Sequence, residues 1–170
     1  MPTPPAPCPF LRARFDLIFC MDAFHYFGAE PGFLTHLASY LKPGGQICVV
    51  NPCFDREIAP PPPPAYAAPW EDEYSRYHSP DWWRRLFEDT GLFEAVEATE
   101  PEDGMALWDD ELLHFIRTGG RSRADRDRDV ALDAREILHG REHPREPRVT
   151  HFILTAVKRG EPGQACGGES

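Results

Sequence analysis

The stretch from residue 15 to residue 50, FDLIFCMDAFHYFGAEPGFLTHLASYLKPGGQICVV, constrains this chain more than any other. Its apolar run over residues 15–20, with Asp16 alone charged, predicts a buried parallel strand. A short polar and aromatic loop follows. Pro31 can open a helix, and Phe33, Leu34, Leu37, Ala38 and Leu41 then recur at helical spacing. Lys42 suits the negative end of that helix, and Pro43, Gly44 and Gly45 are expected to stop it. Residues 46–50 read as the next buried strand. Strand, helix and strand make one crossover of a doubly wound α/β sheet. Ligands bind such sheets just outside the carboxyl ends of the strands, which makes the loop after residue 20 the first candidate site.

The rest of the chain continues the pattern. Ser79 and Pro80 read as an N-cap and a first helical residue, and Trp82, Trp83, Leu86 and Phe87 follow at helical spacing. Thr90 and Gly91 end that helix. Residues 92–98 and 149–157 read as strands, and residues 105–116 and 130–138 as helices. Pro60 to Pro64 form a polyproline run inside a linker from residue 51 to residue 69. The organisation expected is a proline-rich leader over residues 1–14, one domain over 15–159 and a loose tail over 160–170.

Composition narrows the function. A net charge of −10 lacks the basic footprint of a nucleic-acid binder and does not suit anionic lipid. The chain has no signal peptide pattern and no apolar run as long as a membrane span. Its five cysteines form no CxxC pair, and Cys20 and Cys48 lie in apolar strands, so a reducing, cytoplasmic setting without disulfides is expected.

These elements, in this order, resemble the second half of a class I S-adenosylmethionine-dependent methyltransferase. FDLIFCMDAFHYF is similar to that superfamily's fourth-strand motif, and LKPGGQICVV resembles the motif entering its fifth strand. HSPDWWRRLFEDTGLFEAVEATEPEDGMALW looks like a bacterial subgroup of the same superfamily, and THFILTAVKR like its antiparallel seventh strand. The resemblance implies a partial Rossmann-like sheet, strands four to seven, in a three-layer α/β/α arrangement. It implies S-adenosylmethionine as cofactor and a small-molecule methyl acceptor as partner. None of the 13 glycines forms a GxGxG loop after a strand, so the family's first strand and cofactor loop are missing from the sequence. The expectation is a truncated chain with impaired methyl transfer. The alternative is a non-catalytic remnant or partner-binding module that self-associates through an exposed sheet edge.

By the same resemblance, Cys20, Met21 and Asp22 would line the methionine end of the cofactor. His25 and Tyr26 would wall the reacting methyl group. Methyl transfer needs in-line alignment, and needs a base only when the acceptor still holds its proton. Against this stands a bland alternative in which His25 and the neighbouring aromatics simply pack the loop. Asn51, at the close of the fifth strand, and Trp70, Tyr74, Tyr77 and His78 would face the acceptor. A strand-end turn and a simple aromatic seal are the competing readings. No metal site is expected. Asp125, Asp127, Asp129, Asp133 and Glu136 have calcium-loop spacing, but Val130 stands where the sharp turn demands glycine. His139 and His143 flank Gly140 and do not form a zinc-protease motif.

Overall fold

The computed structural model describes residues 11–27, 29, 31–59, 74–102 and 146–160. Four strands form one sheet: β1 (Phe15–Met21), β2 (Leu41–Phe54), β3 (Phe93–Thr99) and β4 (Val149–Lys158). Their spatial order is β1-β2-β4-β3. β1 and β2 are parallel, joined over helix α1 (Pro31–Ala38), which is the crossover expected from the sequence. β4 runs antiparallel to both of its neighbours, β2 and β3. Helix α2 (Pro80–Asp89) precedes β3. Between these lie two short 3-10 turns, Phe24–Phe27 and Tyr74–Arg76.

Helix α1 stops three residues earlier than its apolar spacing predicts, and Leu41 belongs to β2. The reason is competition for hydrogen bonds. The carbonyl of Tyr40 accepts from the N–H groups of Arg14 and Phe15 at 2.9 and 3.1 Å, and Ala13 N–H donates to Ser39 at 2.9 Å. Sheet bonds to the start of β1 thus replace the next helical turn. Leu41 then pairs with Phe15, while the following pair is Leu17 with Gln46, so Lys42 to Gly45 bulge out opposite Asp16. Gly44 takes a φ of 75°, which glycine adopts without strain. A Cβ on Gly45 would meet the Lys42 carbonyl oxygen at 2.9 Å and that of Phe15 at 3.0 Å. Lys42 reaches across to Asp16 at 2.8 Å instead of serving a helix end. β2 also runs four residues beyond the expected end, so Asn51 and Pro52 are strand residues paired with Phe152 and His151, not a turn.

Helix α2 begins and ends as its sequence predicts. The Ser79 hydroxyl accepts from Trp82 N–H at 3.3 Å, and Glu57 accepts from Ser79 N–H at 3.0 Å. Thr90 Oγ1 donates to the Phe87 carbonyl and Gly91 takes a φ of 66°. Its outer face carries Arg84 between Asp81 and Glu88. Its inner face buries Trp83 and Phe87, whose rings meet Phe152, Phe24 and Phe93.

The larger of two core clusters among the described residues joins Leu34 and Ala38 of α1, Trp83 and Phe87 of α2, and Ile47, Val49, Phe152, Leu154 and Ala156 of the sheet, and Phe54 and Val149 form the smaller one. Both described helices therefore cover the same face. On the opposite face Leu17, Phe19 and Met21 are exposed, Phe19 by 55%. They stand in register with Gln46, Cys48 and Val50 of β2. Two of the three expected layers lie among the described residues. The predicted helices over residues 105–116 and 130–138, the leader, the tail, the carboxylates of residues 125–136 and the HGREH segment lie outside them. No helix among the described residues is long and apolar enough to cross a membrane.

Candidate active site at the carboxyl ends of β1 and β2

The loop after β1 is built by its own strand. Asp22 N–H donates to the Val50 carbonyl at 2.9 Å, which carries the β1–β2 ladder one residue past Met21. Asp22 then turns into the left-handed region with a φ of 52°, a conformation that Asp tolerates better than most residues. This reverses the chain into the Phe24–Phe27 turn and leaves the Asp22 side chain 61% exposed at the sheet's end. Cys20, two residues back, has its thiol pushed up mainly by burial, with the Asp22 charge adding to it. It stays a thiol at neutral pH.

Asn51 organises the turn from the side. It is wholly buried on β2. Its Oδ1 accepts from Phe24 N–H at 3.0 Å, and its Nδ2 donates to His25 Nδ1. Phe24 thereby enters the core against Trp83, and His25 is only 2% exposed. The His25 ring lies 3.9 Å from that of Tyr26 and 5.2 Å, edge-on, from that of Tyr77. Tyr26 itself is 51% exposed.

Of the residues anticipated at the site, the fold brings Cys20, Met21, Asp22, His25, Tyr26, Asn51 and Tyr77 to one end of the sheet. Tyr74 sits one ring further out, 5.5 Å from Tyr77 and 6.3 Å from Phe54. His78 is tied elsewhere. Its Nδ1 lies 2.7 Å from a Glu57 carboxylate oxygen and its ring stacks on Trp82 at 3.6 Å. It buttresses the start of α2. Trp70 lies outside the described residues.

One further residue joins the site without a signal in the sequence. His151 of β4 pairs with Pro52, and its Nε2 stands 3.9 Å from an Asp22 carboxylate oxygen. Nothing local marks a single histidine in an apolar strand as part of a site. Only the insertion of β4 beside β2 carries it there. Cys53, also at this end, is buried, and burial, followed by the charges of Glu100 and Asp55, drives its thiol far above the ordinary range. It acts as a small apolar core residue. Among the described residues no three His, Cys, Asp or Glu side chains gather as a metal site would require.

The groups at this end of the sheet are a carboxylate, a thiol, a thioether, an amide, two imidazoles and two phenols.

The sequence and the fold both have relatives. The model of a methyltransferase domain family matches residues 5–49. No curated protein matches the chain in sequence. Among solved structures, Haemonchus contortus phosphoethanolamine N-methyltransferase 2, in complex with phosphomonomethylethanolamine and S-adenosylhomocysteine, superposes with a TM-score of 0.67. Identity is 13%, over 88% of this chain and 35% of that one. A Galdieria sulphuraria protein assigned as a sarcosine dimethylglycine methyltransferase gives 0.61 at 18% identity, over 89% of this chain and 56% of that one. Geranyl diphosphate C-methyltransferase from Streptomyces coelicolor gives 0.56 at 14% identity, over 89% and 50%. The chain thus spans about a third to a half of the length of these enzymes. Its sheet, from the parallel pair to the inserted antiparallel strand, has the fold of the class I S-adenosylmethionine-dependent methyltransferases, over that fold's fourth to seventh strands.

Proposed function

We propose that this chain belongs to a system transferring a methyl group from S-adenosylmethionine to a small-molecule acceptor. The observation that carries the reading is the gathering of Asp22, His25, Tyr26 and Asn51 at the carboxyl ends of two parallel strands. Cys20, Met21 and Asp22 would meet the methionine end of the cofactor. When bound, the cofactor supplies an electrophilic methyl carbon. The chain's task is then alignment and exclusion of water, which Tyr26, Tyr77 and the buried His25–Asn51 pair suit. The acceptor would lie on the side of Asn51, Tyr77 and Tyr74. The molecules bound in the structural relatives include phosphomonomethylethanolamine and geranyl diphosphate, so the fold serves quite different small molecules.

The described residues offer groups for the methionine end of the cofactor, and methyl transfer by this chain by itself is expected to be impaired. Calorimetry with S-adenosylhomocysteine tests this. We expect a Kd on the order of 1 mM or weaker, about −4 kcal/mol, for the chain as it stands. Fusing a glycine-rich class I first half in frame before residue 15 should tighten it at least tenfold. No gain from the fusion would overturn the reading.

A second reading is favoured by the open row of Leu17, Phe19 and Met21. It is that of a partner-binding module, in which another chain covers β1. In that case the row, and not the Asp22 loop, is the functional surface.

A further inference from the structure

We infer that Asn51 is a positioning residue that fixes His25 as a hydrogen-bond donor at Nε2 and keeps that nitrogen from acting as a base. The inference rests on the proposed function for its catalytic meaning, but its physical content stands on the hydrogen-bond chain alone.

That chain starts from a group whose polarity is not negotiable. The backbone N–H of Phe24 can only donate, so the Asn51 atom facing it at 3.0 Å is Oδ1. The planar amide then turns Nδ2 toward His25 Nδ1. Nδ2 can only donate as well, so Nδ1 must carry a lone pair. A neutral imidazole has one proton, which is left for Nε2. The reverse tautomer, or a doubly protonated ring, would set N–H against N–H at a contact from which water is excluded. Asn51 is completely buried and His25 nearly so.

Each link is mechanically held. Asn51 sits in a strand paired on both sides, next to Val50, which pairs with Met21, and itself opposite Phe152. The rings of Tyr26 and Tyr77 confine the imidazole. A metal-bound histidine is oriented in the same way by the partner of its other nitrogen. Here an amide does the orienting, and it selects the donor form.

The chemical consequence concerns the substrate class. Whatever atom meets Nε2 is a hydrogen-bond acceptor such as a carboxylate, phosphate or carbonyl oxygen. A methyl acceptor used here must bring its lone pair with it. An alcohol or carbon acid that needs a proton removed by His25 is excluded.

The test reads the tautomer directly and needs no ligand. The chain has seven histidines. Nitrogen-15 labelled histidine and a long-range nitrogen–proton correlation spectrum at neutral pH distinguish their forms, and His25→Gln identifies the His25 signals. We expect the Nε2–H tautomer in the wild-type chain. The Nδ1–H tautomer, or a doubly protonated ring, would overturn the inference. In Asn51→Asp a carboxylate replaces the amide donor, and the ring should switch to Nδ1–H. A folded Asn51→Asp protein that retains the Nε2–H form would also overturn it. Should Asn51→Asp fail to fold, as lost near-ultraviolet dichroism would reveal, the wild-type spectrum alone decides. Failure of cofactor binding in the calorimetric experiment would sink the proposed function and leave this spectrum unaffected.

Discussion

Asp55, just past the end of β2, and Arg148, just before β4, hold each other by three bonds. Asp55 N–H donates to the Arg148 carbonyl at 2.9 Å, Arg148 N–H donates to Asp55 Oδ1 at 3.1 Å, and the Arg148 guanidinium reaches Oδ2 at 3.3 Å. The clasp closes the seam where the last strand enters the middle of the sheet. Burial alone would push the Asp55 carboxyl up, but the bonds from Arg56 and Arg148 outweigh it and hold the carboxyl below the usual carboxylate range. The native state therefore binds this proton less readily than the unfolded state. The stabilisation is fully present above the unfolded Asp value of about 3.9 and is lost as pH falls through the lower native value. Acid unfolding followed by circular dichroism should show this. Asp55→Asn should destabilise the wild-type fold at neutral pH by about 1–3 kcal/mol and flatten the acid limb. An unchanged limb would separate Asp55 from the acid response.

The core face of α2 makes a simpler prediction. Trp83 is buried against Phe24 and Phe152, with ring centroids 5.5 and 5.9 Å away. Trp83→Ala should cost about 3–5 kcal/mol, and the neighbouring exposed Arg85→Ala less than about 0.5 kcal/mol. Urea unfolding of the two variants compares them. Equal midpoints would refute the assignment of α2 as a core helix.

How much of this was legible in the sequence depended on whether the signal was local. The Ser79 cap and the Thr90–Gly91 stop are set by neighbours in the chain and fold as they read, whereas the strand at residue 15 forms where expected but, read as buried, has most of its residues exposed. The Lys42–Gly45 segment misleads because proline and glycine punctuate helices and bulges alike. What decides between them is the Tyr40 carbonyl, which bonds to Arg14 and Phe15. Asn51 reads as a strand end, yet the strand continues, because its partner β4 arrives about a hundred residues later in the chain. His151 joins Asp22 for the same reason. Alternating side chains in β1 placed Ile18 and Cys20 on the core, but the run of apolar residues gives no hint that its other face lies open.

That open face predicts association. Phe15, Leu17, Phe19 and Met21 present a continuous apolar row on an edge strand, and the outer edge of β1 has no strand partner among the described residues. Sedimentation velocity should find the folded chain associating in a concentration-dependent way, and a hydrophobic dye should bind the row. Phe19→Lys and Leu17→Lys should each reduce both effects, since a charge on the row disfavours its burial. A sharp, monomeric, cooperative transition in the wild-type chain would exclude the module reading.

The last prediction concerns Asp22 and His25 in a chain fused to a glycine-rich first half. Asp22 is exposed, bonds through its backbone and closes no core contact. Asp22→Ala should lower turnover at least tenfold, about 1.4 kcal/mol of barrier, and cost about 1 kcal/mol of stability because alanine takes a φ of 52° less readily than aspartate. His25→Ala is different in kind, because it also strands the Asn51 amide in a dry site. It should lose turnover and also about 1–3 kcal/mol of stability. The two effects separate in a background stabilised elsewhere. If His25 only packs the loop, restored stability returns the activity. If the imidazole meets the substrate, the melting temperature recovers and turnover does not. His151→Ala weighs the newly found neighbour, 3.9 Å from Asp22. It should shift KM or turnover in the same direction as Asp22→Ala, and less than additively with it, because the two side chains share one contact. Full turnover in Asp22→Ala, and in His25→Ala once stabilised, would remove the site from this end of the sheet.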